Sequence, residues 1–344
     1  MTDRAVADIV YTYTGKMTGI RRYSEKLITA LERTGTHVRP HRIRKIETSI
    51  GGKPAGGLIS QKFFSLFIRT TSPVIHSLSP DVIMKKTNVA TIHDLIPFYH
   101  KETFMKTRRE RLGYSIMFSR LNELTIIVHT NFIKTQLIEQ GIDGNMIEVA
   151  GASIQDFFRP SARPSPYPSD GRRHLVTVGD FNPRKRFDVI YRAVNQLDGV
   201  DLYHIGPVNS WVQRYRELRE IAQRGGKIHL LGALSDSQLV DYISHADLFV
   251  YATVEEGAGY PPAEALACGT KVLVNKIPVF LEQFGDDVFY CDLEVDSFTG
   301  GIADSLNKEV DRGKLLRAAS RFSADAEAAR VAAVYAKVGA SLKS

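Results

Sequence analysis

Along the chain, short runs of consecutive apolar and β-branched residues alternate with longer stretches in which apolar positions return every third or fourth residue. The first pattern suits strands buried on both faces and the second suits amphipathic helices, so their alternation predicts parallel α/β units. In the first half the strands fall at ADIVYTY (7–13), HVRPHRI (37–43), PVIHSL (73–78), VATIHDL (89–95), LTIIVH (124–129) and MIEVAG (146–151). Between the first two, RRYSEKLITALERTG (21–35) sets Tyr23, Leu27, Ile28 and Leu31 on one helical face, with Gly35 where the helix would end.

The rhythm breaks at SARPSPYPSDGRR (161–173), whose prolines and neighbouring Ser, Asp and Gly predict a linker. It resumes with strands at 174–181, 200–206, 227–232, 247–253 and 270–275, and helices at 186–197, 210–226, 236–246 and 262–269. An Ala-rich helix closes the chain at 323–342. The expected fold class is α/β, with two Rossmann-like domains, residues 1–165 and 166–322, facing each other across a cleft. The last helix is expected to pack back on the first domain. Open parallel sheets bind ligands beyond the carboxyl ends of their strands. The chemistry is therefore sought in the loops that follow strands.

With 43% hydrophobic and 24% charged residues among 344, the composition is that of a globular chain of about two domains, which excludes disorder and collagen. Cys268 and Cys291 are the only cysteines, too few for a disulfide framework or a structural zinc site. No apolar run reaches the ~18–20 residues of a membrane-spanning helix, since LISQKFFSLFI (58–68) is interrupted by Ser, Gln and Lys. The first residues lack the basic head, apolar core and cleavage site of a signal peptide. A cytoplasmic location is expected.

The net charge of +7 is unevenly spread: residues 1–165 hold 24 Lys/Arg against 14 Asp/Glu, and the rest hold 21 against 24. A basic half can face phosphates, nucleic acid or an anionic membrane surface. No RNA- or DNA-binding motif accompanies it, so nucleic acid is not an expected partner. MKTRRERLGYSIMFSRLNEL (105–124) has the arginines and periodicity of a helix lying on an anionic membrane, through Arg108, Arg109 and Arg111. A solvated surface helix is the plainer reading of the same stretch.

The most informative segment is TVEEGAGYPPAEALACGTKVLV (253–274), which runs from a strand end through two acidic residues and a Gly/Pro turn into a helix. Gly257 and Gly259 let backbone approach a ligand, Pro262 suits a first helical turn, and the amides at the helix start offer an anion site. A carboxylate on that helix, Glu264, suits the vicinal hydroxyls of a ribose. Acidic residues there would also simply favour the helix dipole. EGAGYPPAEALACG resembles the Glu-seven residues-Glu signature of the retaining glycosyltransferases of family four, whose fold is GT-B. The resemblance implies Glu256 beside the donor sugar and Glu264 on the ribose hydroxyls. Gly257, Ala258, Gly259 and Tyr260 then form the turn along the diphosphate, with Ala258 standing where the family has an aromatic residue.

VGDFNPRKRFDVIYRAV (178–194) is similar to the family's VGxxxPxKGxDxLIxA, which makes Lys185 the donor-phosphate cation with Arg184 beside it. Cations there would neutralise a departing diphosphate. Asp180 stands where many relatives carry arginine. YTYTGKMTGIRRYSEKL (11–27) resembles the family's opening strand, glycine loop and first helix, in which Gly19 brings an amide toward the diphosphate and Thr18 replaces a second glycine. VATIHDLIPFYHKE (89–102) resembles VxTxHDLxPxxxPE and implies that His93 reaches the donor sugar while Asp94 organises the loop. The register continues through HTNFIKTQLIEQGI (129–142), VAGASIQDFFRP (149–160) and LLGALSDSQLVDYISHADLFVYAT (230–253), the last placing Gly232 at the nucleotide base.

The resemblance thus implies metal-independent transfer of a hexosyl unit, with retention, from a UDP- or GDP-sugar to a hydroxyl of a glycan or lipid-linked glycan. His93, Lys185 and Glu256 are its expected catalytic residues. No cofactor is expected beyond the donor substrate, and no Asp-x-Asp metal motif stands in a suitable loop. The alternative is a non-catalytic nucleotide-sugar-binding or peripheral membrane protein on the same fold. A glycosidase would need two carboxylates across one bond. Here helix and turn geometry would aim Glu256 and Glu264 at different parts of one nucleotide.

Overall fold

The structure is a computed structural model that describes residues 6–13, 19–44, 48–50, 53–55, 69–79, 82–99, 115, 118–208 and 212–342. Thr18 and the loop around it, the apolar stretch 58–68, and Arg108, Arg109 and Arg111 lie outside the described residues. Contacts along the chain divide it into two units, Met1–Ser153 with Ser323–Ser344, and Ile154–Phe322.

The first unit runs β1 (Ala7–Tyr13), α1 (Gly19–Arg33), β2 (Val38–Arg44), a small antiparallel hairpin of β3 (Thr48–Ile50) and β4 (Lys53–Ala55), β5 (Val74–Ser77), β6 (Val89–Ile92), α2 (Ile96–Tyr99), β7 (Thr125–Val128), α3 (Asn131–Glu139) and β8 (Ile147–Val149). Its main sheet is parallel, in the order β2-β1-β5-β6-β7-β8. Both faces of β1 are buried, as a parallel sheet between helices requires. Ile9 and Tyr11 meet Leu27 and Leu31 of α1, while Val10 meets Ile75 and Val82 on the other face. Thr130 caps α3, its hydroxyl accepting from Ile133 N.

The second unit runs β9 (Arg173–Val178), α4 (Phe187–Asn195), β10 (Val200–Ile205), α5 (Val212–Gly225), β11 (Ile228–Gly232), α6 (Asp236–His245), β12 (Leu248–Tyr251), α7 (Tyr260–Ala267), β13 (Val272–Asn275), α8 (Pro278–Phe284), β14 (Phe289–Cys291), α9 (Val295–Asn307) and α10 (Arg312–Ala319). These strands form a parallel sheet in the order β11-β10-β9-β12-β13-β14. Both units are therefore Rossmann-like. In each sheet the strand order turns back beside its first strand, at β1/β5 and at β9/β12, and ligands of such sheets bind at that point. The final helix, α11 (Ala324–Ser341), belongs to the first unit, where Ala328, Val331 and Tyr335 pack with Leu27 and Leu31.

Three features depart from the sequence reading. The proline-rich stretch 161–173 is fastened to the second unit: Ser161 Oγ donates to Asp241 at 2.7 Å and Tyr167 OH to Tyr242 O at 2.6 Å. The division accordingly falls at Ser153, upstream of residue 165. The helix after the Gly/Pro turn begins at Tyr260, ahead of Pro262. Finally, α8, β14, α9 and α10 fill a region for which the pattern predicted no elements. Among the described residues no helix is long and apolar enough to cross a membrane.

Candidate functional site

The loops that leave β9 and β12 run side by side because those strands are neighbours. Their backbones are joined where Val254 N donates to Arg184 O at 2.9 Å. Arg184 Nη1 donates to Glu255 O at 2.7 Å and to Glu256 Oε2 at 3.1 Å. Tyr251 OH donates to the same Glu256 oxygen at 3.0 Å, and Gly257 N donates to Oε1 at 3.2 Å. Burial alone would raise the Glu256 carboxyl pKa, but Arg184 and then Lys185 outweigh it, and the net shift is downward. Glu256 is thus ionised at neutral pH. Lys185 Nζ lies 3.2 Å from Asp180 Oδ1, and its stem covers Gly179, where an added Cβ would meet Nζ at 2.5 Å. Lys185, Arg184 and Glu256 are therefore brought together at the turning point of the second sheet.

Gly257, Ala258 and Gly259 lead from this cluster into α7. Gly259 takes the left-handed region (φ +73°), and a Cβ there would press on the rings of Phe280 and Phe284 at 3.0–3.1 Å, so the position needs glycine. The expected supply of helix-start amides is reduced. After Tyr260 come Pro261 and Pro262, which carry no N–H, and Ala263 N donates back to Gly259 O at 3.2 Å. Ala258 is buried within the turn. Glu264 is half-buried on α7 itself, where burial and to a lesser degree its charge push the Cys268 thiol up to about 12. Gly232 ends β11 at φ +71° and its carbonyl accepts from Gly206 N at 2.9 Å.

In the first unit His93 follows β6 directly. Its Nε2 donates to Leu78 O at 2.9 Å and its Nδ1 faces His129 Nε2 at 3.0 Å. Both ring nitrogens are engaged within the unit. Burial, and then the neighbouring His129, lower its pKa to about 3. Asp94 accepts from Ile96 N at 3.0 Å and orders the turn into α2. Gly19 is the first residue of α1 and is exposed, with nothing within 4 Å of an added Cβ.

Residues 159–322 match the family described as Glycosyl transferases group 1. The second unit is a group 1 glycosyl transferase domain. The chain is 24% identical over 211 residues to the O-antigen chain mannosyltransferase RfbU of Salmonella typhimurium, a match covering 60% of this chain and 56% of that protein. It is 25% identical over 252 residues to the O-antigen chain mannosyltransferase B of Escherichia coli, covering 68% and 66% respectively. The matches thus span a little over half to about two thirds of those relatives. A solved structure of Anabaena HepE in complex with UDP-glucose superposes with a TM-score of 0.65 at 15% identity, over 98% of this chain and 99% of that one. The shared fold is GT-B.

Within the group 1 domain, three further residues shape the site. Asn275, buried at the end of β13, accepts from Thr253 N at 2.9 Å and donates from Nδ2 to Thr253 O at 2.9 Å, which pins the start of the acidic loop. A polar residue closing the apolar run VLVN was the available signal. Tyr251 was hidden within an apolar strand, and its hydroxyl becomes visible only once Glu256 folds back on it. Arg186 takes the left-handed region (φ 39°) at the position where the family pattern has glycine. Its guanidinium pairs with Asp188 at 3.3 Å, and Arg214 reaches the same carboxylate at 2.6 Å. The group 1 domain therefore presents an ammonium and an acceptor-only carboxylate on adjacent loops, a combination able to hold a phosphate and a hydroxyl.

Proposed function

We propose that the chain is a retaining glycosyltransferase that moves a hexosyl unit from a UDP- or GDP-sugar to an acceptor hydroxyl of a glycan or lipid-linked glycan. The observation that carries this reading is the cluster of Lys185, Arg184 and ionised Glu256 at the turning point of a group 1 sheet. In it, Lys185 exchanges Asp180 for a donor phosphate and offsets the charge that develops as the anomeric C–O bond breaks. Glu256 accepts from hydroxyls of the donor sugar and Glu264 from those of the ribose, while Gly257 to Tyr260 line the diphosphate and the Gly232 turn meets the base. Retention follows from attack on the face the leaving phosphate departs from, that phosphate taking the acceptor proton. The protein contributes position and charge, with no metal ion required. The names of the relatives, two mannosyltransferases of the O-antigen chain and a UDP-glucose complex, are compatible with this chemistry.

The test offers the purified chain a panel of nucleotide sugars, with and without acceptors and in the presence of a chelator, and measures nucleoside diphosphate release. Release from one donor supports the reading. Nucleotide binding without release from any donor leaves the non-catalytic alternative. Product of inverted anomeric configuration by NMR removes retention. Sedimentation with anionic liposomes that is unchanged on neutralising Arg108, Arg109 and Arg111 removes attachment at a cytoplasmic membrane face.

A further inference from the structure

The loop that leaves β9 closes in a single 3₁₀ turn, Pro183–Lys185, and α4 starts at Phe187. Between them stands Arg186, which alone among the described residues other than glycine has a positive φ (φ 39°, ψ 39°). That region crowds a Cβ against the following carbonyl oxygen, so a side chain persists there only where its surroundings hold it. Arg186 is held from several directions. Its N donates to Pro183 O at 3.3 Å, closing the turn that carries Lys185, and its O accepts from Val189 N at 3.0 Å, opening the helix. Its guanidinium donates to Asp188 through Nε and Nη2, both at 3.3 Å. Arg214 of α5 donates to the same carboxylate at 2.6 Å and to Glu217 at 3.0 Å, which anchors the tether on a second helix.

The consequence appears at Gly179, the residue that follows β9. Were the 3₁₀ turn to run on into α4 as one right-handed helix, residues two apart would face away from each other. Lys185 and Phe187 converge instead: a Cβ at Gly179 would lie 2.9 Å from Lys185 Cδ and 3.2 Å from Phe187 Cζ. One end of this arrangement is fixed, because Phe187 is 1% exposed within the core of the second unit. With Phe187 anchored, the backbone at Arg186 sets where the Lys185 stem lies and so where its ammonium stands.

We propose that Arg186, held in the left-handed region by Asp188 and Arg214, is a positioning residue that lays Lys185 over Gly179 to receive the donor diphosphate. The diphosphate part rests on the glycosyltransferase reading, whereas the geometric part does not. The test compares Arg186→Ala with Arg186→Gly by calorimetric titration of UDP and of GDP. Both variants remove the guanidinium and its charge, and they differ in what the left-handed region costs the new residue. Arg186→Ala is expected to bind the diphosphate about 5-fold or more weakly than Arg186→Gly. Equal affinities in the two variants overturn the positioning role. Asp188→Ala, with the fold checked by thermal unfolding, is expected to weaken binding by about 3-fold in the wild type and to have little effect when added to Arg186→Gly. The same loss in both backgrounds overturns the part given to Asp188, and this pair keeps the test open should Arg186→Ala not fold.

Crystal structures of the variants read the geometry without any ligand. The Lys185 stem is expected over Gly179 in Arg186→Gly and displaced from it in Arg186→Ala and in Asp188→Ala. A Lys185 that stays in place in all three overturns the assignment. A wild-type chain that binds neither diphosphate and releases none from any donor contradicts the glycosyltransferase reading, and the crystal comparison then decides the role of Arg186 by itself.

Discussion

The Arg184 guanidinium and the Glu256 carboxylate meet at 3.1 Å, joining two loops that leave adjacent strands of the second sheet. The pair is largely sealed, since the Glu256 side chain keeps 12% of its surface and that of Arg184 keeps 21%. Removing one partner from a buried pair leaves the other charge uncompensated. Arg184→Met is therefore expected to destabilise the protein by about 2–4 kcal/mol, somewhat under the cost for a fully enclosed pair because water reaches part of the guanidinium. Adding Glu256→Leu should recover most of that loss. Urea midpoints of the two single variants and the double variant measure the coupling, and additive losses would show that the contact contributes nothing of its own.

Asp180 competes for the ammonium that the proposed reaction assigns to phosphate. Its Oδ1 sits 3.2 Å from Lys185 Nζ. Asp180→Asn should tighten nucleoside diphosphate binding by about 2- to 5-fold, since a partly exposed pair of this kind contributes up to about 1 kcal/mol. Lys185→Ala should weaken binding by about 10-fold or more through loss of a charge-assisted contact. Calorimetric titration of the diphosphate decides between them. Equal affinities in both variants and the wild type would place the phosphate elsewhere.

Much of this was legible along the chain, and what escaped has a common cause. Strands buried on both faces announce themselves as apolar runs, and Lys185, Glu256 and Glu264 sit in short segments whose pattern is local. The Arg184–Glu256 contact spans 72 positions and depends on β9 lying beside β12, which no local pattern encodes. The grip of Asn275 on Thr253 and the reach of Glu327 to His129 are invisible for the same reason. His93 was identifiable as a special residue, but its engagement on both nitrogens was not. The helix α9 was missed because Gly300 and Gly301 interrupt its pattern. At Gly301 the small residue serves packing, since a Cβ would come within 3.2 Å of Cys291 and 3.4 Å of Leu273.

Acid should destabilise the fold well above the carboxylate range. Burial lowers His76 to about 3, His93 to about 3 and His204 to about 4, from an ordinary 6.5. Below pH 6.5 the unfolded chain takes up protons that these rings refuse in the folded state. Their contribution is complete above that pH and is lost as pH falls toward the folded values, at about 1.4 kcal/mol per pH unit for each ring. Glu327 acts in the same direction over a lower window. Burial alone would raise it, but Lys26 and His129 bring it down to about 2 from an ordinary 4.5, so its share is lost only below about pH 4.5. A urea midpoint falling steadily from pH 7 to pH 5 is expected, and a flat one would show that these histidines are open to solvent.

Three glycines stand at the carboxyl ends of β9, β10 and β11, and their backbones close on one another: Gly179 N donates to Ile205 O, and Gly206 N to Gly232 O, both at 2.9 Å. At Gly206 a Cβ would lie 1.8 Å from Gly179 O, a backbone atom with no rotamer to yield. Gly206→Ala must therefore part β9 from β10 at the root of the loop that carries Arg184 and Lys185, and should cost about 3 kcal/mol, at the upper end for overpacking. Gly199 supplies the control. Its φ of +66° is strained for alanine, yet nothing lies within 4 Å of an added Cβ. Gly199→Ala should cost only the left-handed backbone, about 1–2 kcal/mol, and leave diphosphate affinity untouched. Thermal unfolding together with diphosphate binding separates the two: Gly206→Ala should lose both stability and affinity, and a variant that lost stability alone would mean the loop position is set by the β12 side through Val254 and Thr253.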